Sequence, residues 1–115
     1  MVHLKFSVNA HTNKRTELLS ACRLMTEKTL EEKGCVSCRI SQDIDEENRI
    51  YLEETWEHRS FLDAYFSSDV FSALLGAVKL LGKTSEFRIN YGFKTEGLEA
   101  VQKAQSKNRS KSLTF

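Results

Sequence analysis

No stretch of this 115-residue chain approaches the roughly 20 consecutive apolar residues that span a bilayer. The first residues, MVHLKFSVN, alternate instead of forming an apolar block, which speaks against a signal peptide. The expectation is a cytoplasmic protein with no membrane partner. Net charge is nearly absent too, at +1, so no overall field recruits nucleic acid. Cysteine is sparse and odd in number, three in all, which suits a reducing compartment better than a disulfide framework. Histidine is equally sparse. His3, His11 and His58 are far apart, none is four residues from another, and no metal site is expected from them.

What is present is a globular composition, 40% hydrophobic and 29% charged, in a length that suits one core. Charge is unevenly placed. Residues 101–115 hold Lys103, Lys107, Arg109 and Lys111 and no acid, so that segment carries +4 and the rest −3. A frayed, solvated terminus explains this segment, and a basic arm for an anionic partner is the competing explanation. We place a folded domain over residues 1–94 and a short helix with a basic flexible tail over 95–115.

Val2, Leu4, Phe6 and Val8 alternate with His3, Lys5 and Ser7, the pattern of a half-buried strand. NAHTN supplies turn and capping residues, with Thr12 or Asn13 as the expected cap. Residues 14–33 then read as a helix whose stripe is Leu18, Cys22, Met25 and Leu30, with Leu19 beside it, and Gly34 ends it. Two alternating runs, from Cys35 and over 49–57, flank the polar turn DIDEEN and predict an antiparallel hairpin. A helix over 58–66 follows, then a second over 70–81 with Ser68 and Asp69 at its start and Gly82 as its stop. SEFRINYGF (85–93) is the last clear strand, and a short helix is expected from about Glu96 to Ala104. The order is β-α-β-β-α-β with a broken second helix. That is the split, ferredoxin-like arrangement of a four-stranded antiparallel sheet with helices on one face. The uncovered face is expected to carry Cys35, Tyr51 and Thr55 among charged residues, and a homodimer would cover it.

The cysteines of GCVSC (34–38) have the spacing of a metal knuckle or a redox couple. In a regular strand, side chains three apart point to opposite faces. Cys38 is therefore expected on the helix side with Val36 and Ile40, and Cys35 on the dimer side.

Several motifs together resemble the antibiotic biosynthesis monooxygenase family, over about residues 2–93. They are Gly34-Cys35 at the second strand, Asp43 with Asn48-Arg49 in the hairpin, Glu54-Thr55-Trp56-Glu57, and Ser68-Asp69-Val70-Phe71. The resemblance implies a dimeric α/β barrel of two ferredoxin-like sheets. It also implies oxygenase chemistry on quinols or phenols without metal or flavin, hence no cofactor and a small aromatic substrate. In such enzymes the deprotonated substrate reduces oxygen, while the protein binds the ring, stabilises the anion and excludes water.

By the same resemblance Trp56 lines the substrate pocket, although a strand-end Trp also packs sheet against helix. The polyketide oxygenases' asparagine and tyrosine fall at Leu52 and Leu62, so that catalytic set is not reproduced. The haem-degrading relatives' iron-ligating histidine falls at Leu75, and leucine cannot ligate iron. The quinol-oxidising relatives' histidine falls at Val70. Asn9 aligns with a pocket hydrogen-bond donor. Glu54, on a strand face with Trp56 and aliphatics, is either a candidate base or a salt-bridge partner of Arg39 or Arg88. His58 is a candidate base by elimination. Tyr65, Phe66 and Phe71 either wall a flat pocket, with Tyr65 and Phe71 as substrate contacts, or pack the core. Two functions follow: a cofactor-independent monooxygenase of an electron-rich aromatic such as a quinol, or a non-catalytic ligand-binding or stress-related dimer of the same fold.

Overall fold

Alternation sets the layers. A computed structural model describes residues 1–91 and 94–108. In β1 (Val2–Ala10), Val2, Leu4, Phe6, Val8 and Ala10 are buried, and His3, Lys5, Ser7 and Asn9 face the other way. In chain order α1 (Arg15–Leu30), β2 (Cys35–Gln42), β3 (Arg49–Trp56), α2 (Arg59–Phe66), α3 (Asp69–Leu81) and β4 (Gly82–Tyr91) follow. A three-residue strand β5 (Lys94–Glu96) and helix α4 (Leu98–Asn108) complete the described chain. The sheet is antiparallel in the order β2-β3-β1-β4-β5. This is the expected ferredoxin-like α+β fold with one short edge strand added. The sheet is open and not closed into a barrel.

The inner face carries Phe6 stacked on Phe87 at 4.1 Å, together with Ile50, Leu52, Trp56 and Ile89, beneath α1, α2 and α3. Ser68 caps α3 as its residue type predicts, its Oγ accepting the Phe71 N–H at 3.1 Å. Asp43 closes the β2–β3 turn. One carboxylate oxygen accepts the Asp45 and Glu46 N–H groups at 2.9 Å, and the other accepts the Tyr51 hydroxyl at 2.8 Å. These bonds, first the Glu46 N–H, hold its carboxyl below the usual carboxylate range.

Five expectations change. Helix α1 starts and stops inside the expected 14–33, and its N-cap is Lys14 with no side-chain cap bond, in place of Thr12 or Asn13. Its inward stripe continues from Leu18, Cys22 and Met25 to buried Thr29, and Leu30 is left half-exposed. Gly82 does not merely stop α3 but is also the first residue of β4, so helix passes into strand with no loop. A Cβ there would lie 2.6 Å from the Val78 carbonyl oxygen and 2.7 Å from Val8, so only glycine fits. Helix α4 is longer than expected, and it buries Val101 and Ala104 while the Gln105 amide donates to the Phe66 carbonyl at 2.8 Å. The expected basic tail at Arg109 and Lys111, and the strand residues Gly92 and Phe93, lie outside the described residues.

The fifth change concerns GCVSC. The pairing of β2 with β3 slips between Cys35 and Ser37: Cys35 lies opposite Trp56, Ser37 opposite Thr55 and Cys38 opposite Glu54. A bulge adds one residue and resets the alternation. Cys35 and Cys38 therefore both face the helices, and Val36 takes the outward, 47% exposed position. The turn into the bulge needs Gly34, whose φ is +86° and whose Cβ would strike the Phe61 ring. With Val36 there in place of Cys35, the rest of the outer face of β1, β2 and β3 is polar or charged apart from Tyr51, with the Lys5 ammonium 4.8 Å from the Tyr51 ring.

Among the described residues no single helix is long and apolar enough to cross a membrane. The α2–α3 pair is apolar because it covers the sheet, with Leu62, Tyr65, Phe66, Phe71, Leu74 and Leu75 buried.

Candidate functional site

Glu54 is the one acidic residue among the buried side chains of the described chain, 2% exposed in the middle of β3. Its register neighbours are Leu4 on β1 and Cys38 on β2. Even alternation along β3, with Ile50, Leu52, Glu54 and Trp56 all buried, leaves the carboxylate no route to the outer face. Its partners are neutral donors. Trp56 Nε1–H donates to Oε1 at 3.0 Å, and the Tyr65 hydroxyl, from α2, to Oε2 at 3.2 Å. Tyr65 in turn lies 3.1 Å from the hydroxyl of Thr29 on α1, itself 1% exposed. One hydrogen-bonded string thus joins β3, α2 and α1.

The expected salt bridge is not formed. Arg39 lies exposed on the outer face opposite Glu53, and Arg88 pairs with Glu86 at 2.8 Å. With no cation beside it, burial pushes the Glu54 carboxyl up to about 7, and the Trp56 and Tyr65 hydrogen bonds only partly oppose this. The same desolvation raises the Tyr65 hydroxyl well above its ordinary value. It also raises the thiols, Cys22 and Cys35 to about 11 and Cys38 to about 12, the negative field of Glu54 adding to the last two. These thiols are poor nucleophiles, and no group of three or more metal-ligating side chains is gathered among the described residues.

Around the carboxyl, aromatic residues gather. Trp56 and Tyr65 have ring centroids 4.7 Å apart, and Tyr65 meets Phe71 nearly edge-on at 5.1 Å. Phe66 and Phe71 are 4.9 Å apart. Trp56, Tyr65 and Phe71 are each at most 2% exposed, so their own rings fill the space between helix and sheet.

The residue pattern of the antibiotic biosynthesis monooxygenase family matches residues 1–76. The chain belongs to that family. An uncharacterised protein of Synechocystis is 26% identical over 84 residues, 72% of this chain. That match takes in 57% of the Synechocystis protein, so the chain spans just over half the length of this curated relative. Among solved structures, a protein of Nitrosomonas europaea provisionally assigned as an antibiotic biosynthesis monooxygenase superposes with a TM-score of 0.74 at 20% identity. It covers 82% of this chain and 100% of that one. A Deinococcus radiodurans protein with the same provisional assignment gives 0.76 at 16% identity, over 82% of this chain and 94% of that one. A Mycobacterium tuberculosis protein gives 0.74 at 19%, over 81% and 95%. At such identities the structures establish a shared fold.

Within this family member the six predicted site residues divide into three places. Glu54, Trp56, Tyr65 and Phe71 form the inner cluster. Asn9 lies on the opposite face of the sheet, because it alternates with buried Val8 and Ala10. There its amide accepts from Arg49 Nε at 3.0 Å and donates to Thr84 Oγ1 at 2.8 Å, beside an open depression of about 580 Å³. His58 is exposed at the N-cap of α2, its ring 5.8 Å from that of Phe61. Leu52, Leu62 and Leu75, where the resemblance implied catalytic or ligating side chains in other members, are buried core leucines. Thr29 is the member of the string not anticipated. The spacing 18-22-25-29 continues the helical stripe onto it, and that spacing is the signal that identifies it.

A pH dependence follows. The folded-state pKa of Glu54, about 7, lies above its ordinary 4.5, so folding favours the protonated form. This contribution is fully present below about pH 4.5 and is lost as pH rises through 7. Its size is about 3 kcal/mol at most. Urea denaturation at pH 5 and pH 8 is expected to show wild type losing stability at the higher pH and Glu54→Gln losing much less. Equal pH slopes in the two proteins would contradict the assignment.

Proposed function

We propose that the protein is a monooxygenase of a small, electron-rich aromatic substrate such as a quinol, working without a cofactor, with Glu54 as the proton acceptor. The observation that carries this is a lone carboxyl, buried among aromatic rings and set near neutrality. Such a group takes a proton from a phenolic hydroxyl at physiological pH. The resulting anion is electron-rich enough to reduce oxygen. For a hydroquinone, one oxygen atom enters the ring, the other leaves as water, and the substrate supplies both electrons. Trp56, Tyr65 and Phe71 would form the walls once parted by the substrate, and the apolar surroundings keep water from the anion. Asn9 and His58 have no part in this site, given their places on the outer face and at the start of α2.

A second reading, a non-catalytic ligand-binding or stress-related dimer, is favoured by the ring-to-ring packing that leaves the cluster closed. Oxygen uptake by the metal-stripped protein across a hydroquinone panel separates the two. Uptake above autoxidation is expected, rising from pH 6 to 8 as Glu54 ionises, and falling by about 100-fold or more in Glu54→Gln. No uptake at any pH from about 6 to 9 would leave the second reading standing.

Either function would operate as a homodimer, a second copy covering the outer face of the sheet. In support, that face places Lys5 and Arg39 around Glu53, and Arg88 beside Glu86, so both signs are present for a two-fold related copy to match. Light scattering at micromolar concentration is expected to give the mass of a dimer, and a monomer mass would overturn the assembly.

A further inference from the structure

A phenol gives up one electron readily only if its proton leaves at the same time, because the protonated radical is a very strong acid. In a dry core that proton needs a base already in hydrogen-bond contact. Tyr65 has one, since its hydroxyl donates to Glu54 Oε2 at 3.2 Å. We infer that Tyr65 is a redox-active tyrosine, which gives one electron to a radical oxidant of the peroxyl class while its proton passes to Glu54. This activity goes beyond quinol oxidation and shares with it only the ionised form of Glu54.

The step balances in atoms, charge and hydrogen bonds. The Tyr65 O–H bond breaks, a Glu54 Oε2–H bond forms, and one electron leaves the phenol. The peroxyl radical that receives it becomes a peroxide anion, which takes up a proton from water. Before the step Trp56 donates to Oε1, Tyr65 donates to Oε2, and the Thr29 hydroxyl donates to the Tyr65 oxygen at 3.1 Å. After it the Trp56 and Thr29 bonds remain, and Oε2–H donates back to the phenoxyl oxygen. Thr29 is the donor in both states, so no buried donor is stranded. Glu54 becomes neutral, so oxidation removes a charge from the core instead of creating one there.

The surroundings suit this role. Burial holds the Tyr65 hydroxyl well above its ordinary pKa, so it keeps its proton until the electron leaves. Trp56 and Tyr65 are both buried, so the electron tunnels out, and the indole 4.7 Å away is the adjacent relay. No other base faces the pair. From β1 comes Leu4, from β2 come Cys38 and Cys35, with Cys22 of α1 adjoining Cys38, and α3 contributes Phe71 against the Tyr65 ring. The thiols stay protonated through the neutral range, and no lysine, arginine or histidine contributes to the ionisation of Glu54. Tyr51 also donates to a carboxylate, that of Asp43 at 2.8 Å, but it lies on the outer face and is only partly buried.

The chain has three tyrosines, so in a Tyr51→Phe/Tyr91→Phe background Tyr65 is the only one left. Flash oxidation of that protein with photogenerated tris(bipyridine)ruthenium(III), followed by freezing, is expected to give the electron paramagnetic resonance signal of a phenoxyl radical. Ring-deuterated tyrosine should narrow the signal. Its yield should rise by about tenfold or more from pH 5 to pH 8, as Glu54 ionises near 7. Glu54→Gln should hold the yield at the low-pH level throughout, and Tyr65→Phe should abolish the signal. A yield flat from pH 5 to 8, a signal confined to Trp56, or a folded Glu54→Gln with the undiminished pH 8 yield overturns the inference. Should Glu54→Gln not fold, the pH profile and the ring-deuterium narrowing in the background protein decide the matter alone. No substrate is used, so an absence of quinol oxidation leaves the outcome intact.

Discussion

A carboxyl group with no cation beside it, held between an indole and a phenol in the middle of a sheet, is the constraint around which this core is arranged. Removing such a group from water costs several kcal/mol unless its hydrogen bonds are replaced or its charge is neutralised. Glu54 uses both remedies: two donors reach it, and burial shifts it toward the protonated form. The donors come from β3 itself and from α2, and Thr29 extends the string to α1. Stability, helix placement and proton affinity are therefore coupled through one side chain.

The second constraint is the start of β2. Gly34 turns the chain at a φ of +86° against the Phe61 ring, and the bulge after it resets the strand by one residue. Cys35 and Cys38 consequently line the helix side beside Trp56 and Glu54, where their small, neutral side chains help to keep the carboxyl dry. The apparent redox motif thus acts through packing and desolvation. The outer face, relieved of Cys35, is a mainly polar surface with Val36 exposed on it.

Much of the fold was legible because its elements obey simple periods. The alternation of β1 and β3, the stripe of α1 and the Ser68 cap each correspond to one feature of the structure. Failures came where a local period was broken or overruled. A one-residue bulge inverts the faces of Cys35 and Val36, and residue types alone do not signal it. Hydrophobicity points to Leu30 and helical spacing to Thr29, and it is Thr29 that is buried. Likeness to relatives groups Asn9 with Trp56, whereas the alternation of Val2 to Val8 assigns it to the opposite face. The alternation of β3 places Glu54 with Trp56 on the inner face, and the helical spacing of Tyr65, Phe66 and Phe71 points inward too. The closure of the cluster was not legible, since sequence patterns do not record how completely rings fill a space.

Family membership and the buried cluster meet in the protonation state of Glu54. Under the proposed function, a carboxyl raised to about 7 would connect the geometry to oxygenase chemistry, and an ordinary acid would not. The most direct measurement is the side-chain carboxyl carbon resonance of Glu54, assigned in isotope-labelled protein by comparison with Glu54→Gln and followed with pH. The account predicts a single titration centred near pH 7. A midpoint close to the ordinary 4.5 would contradict it.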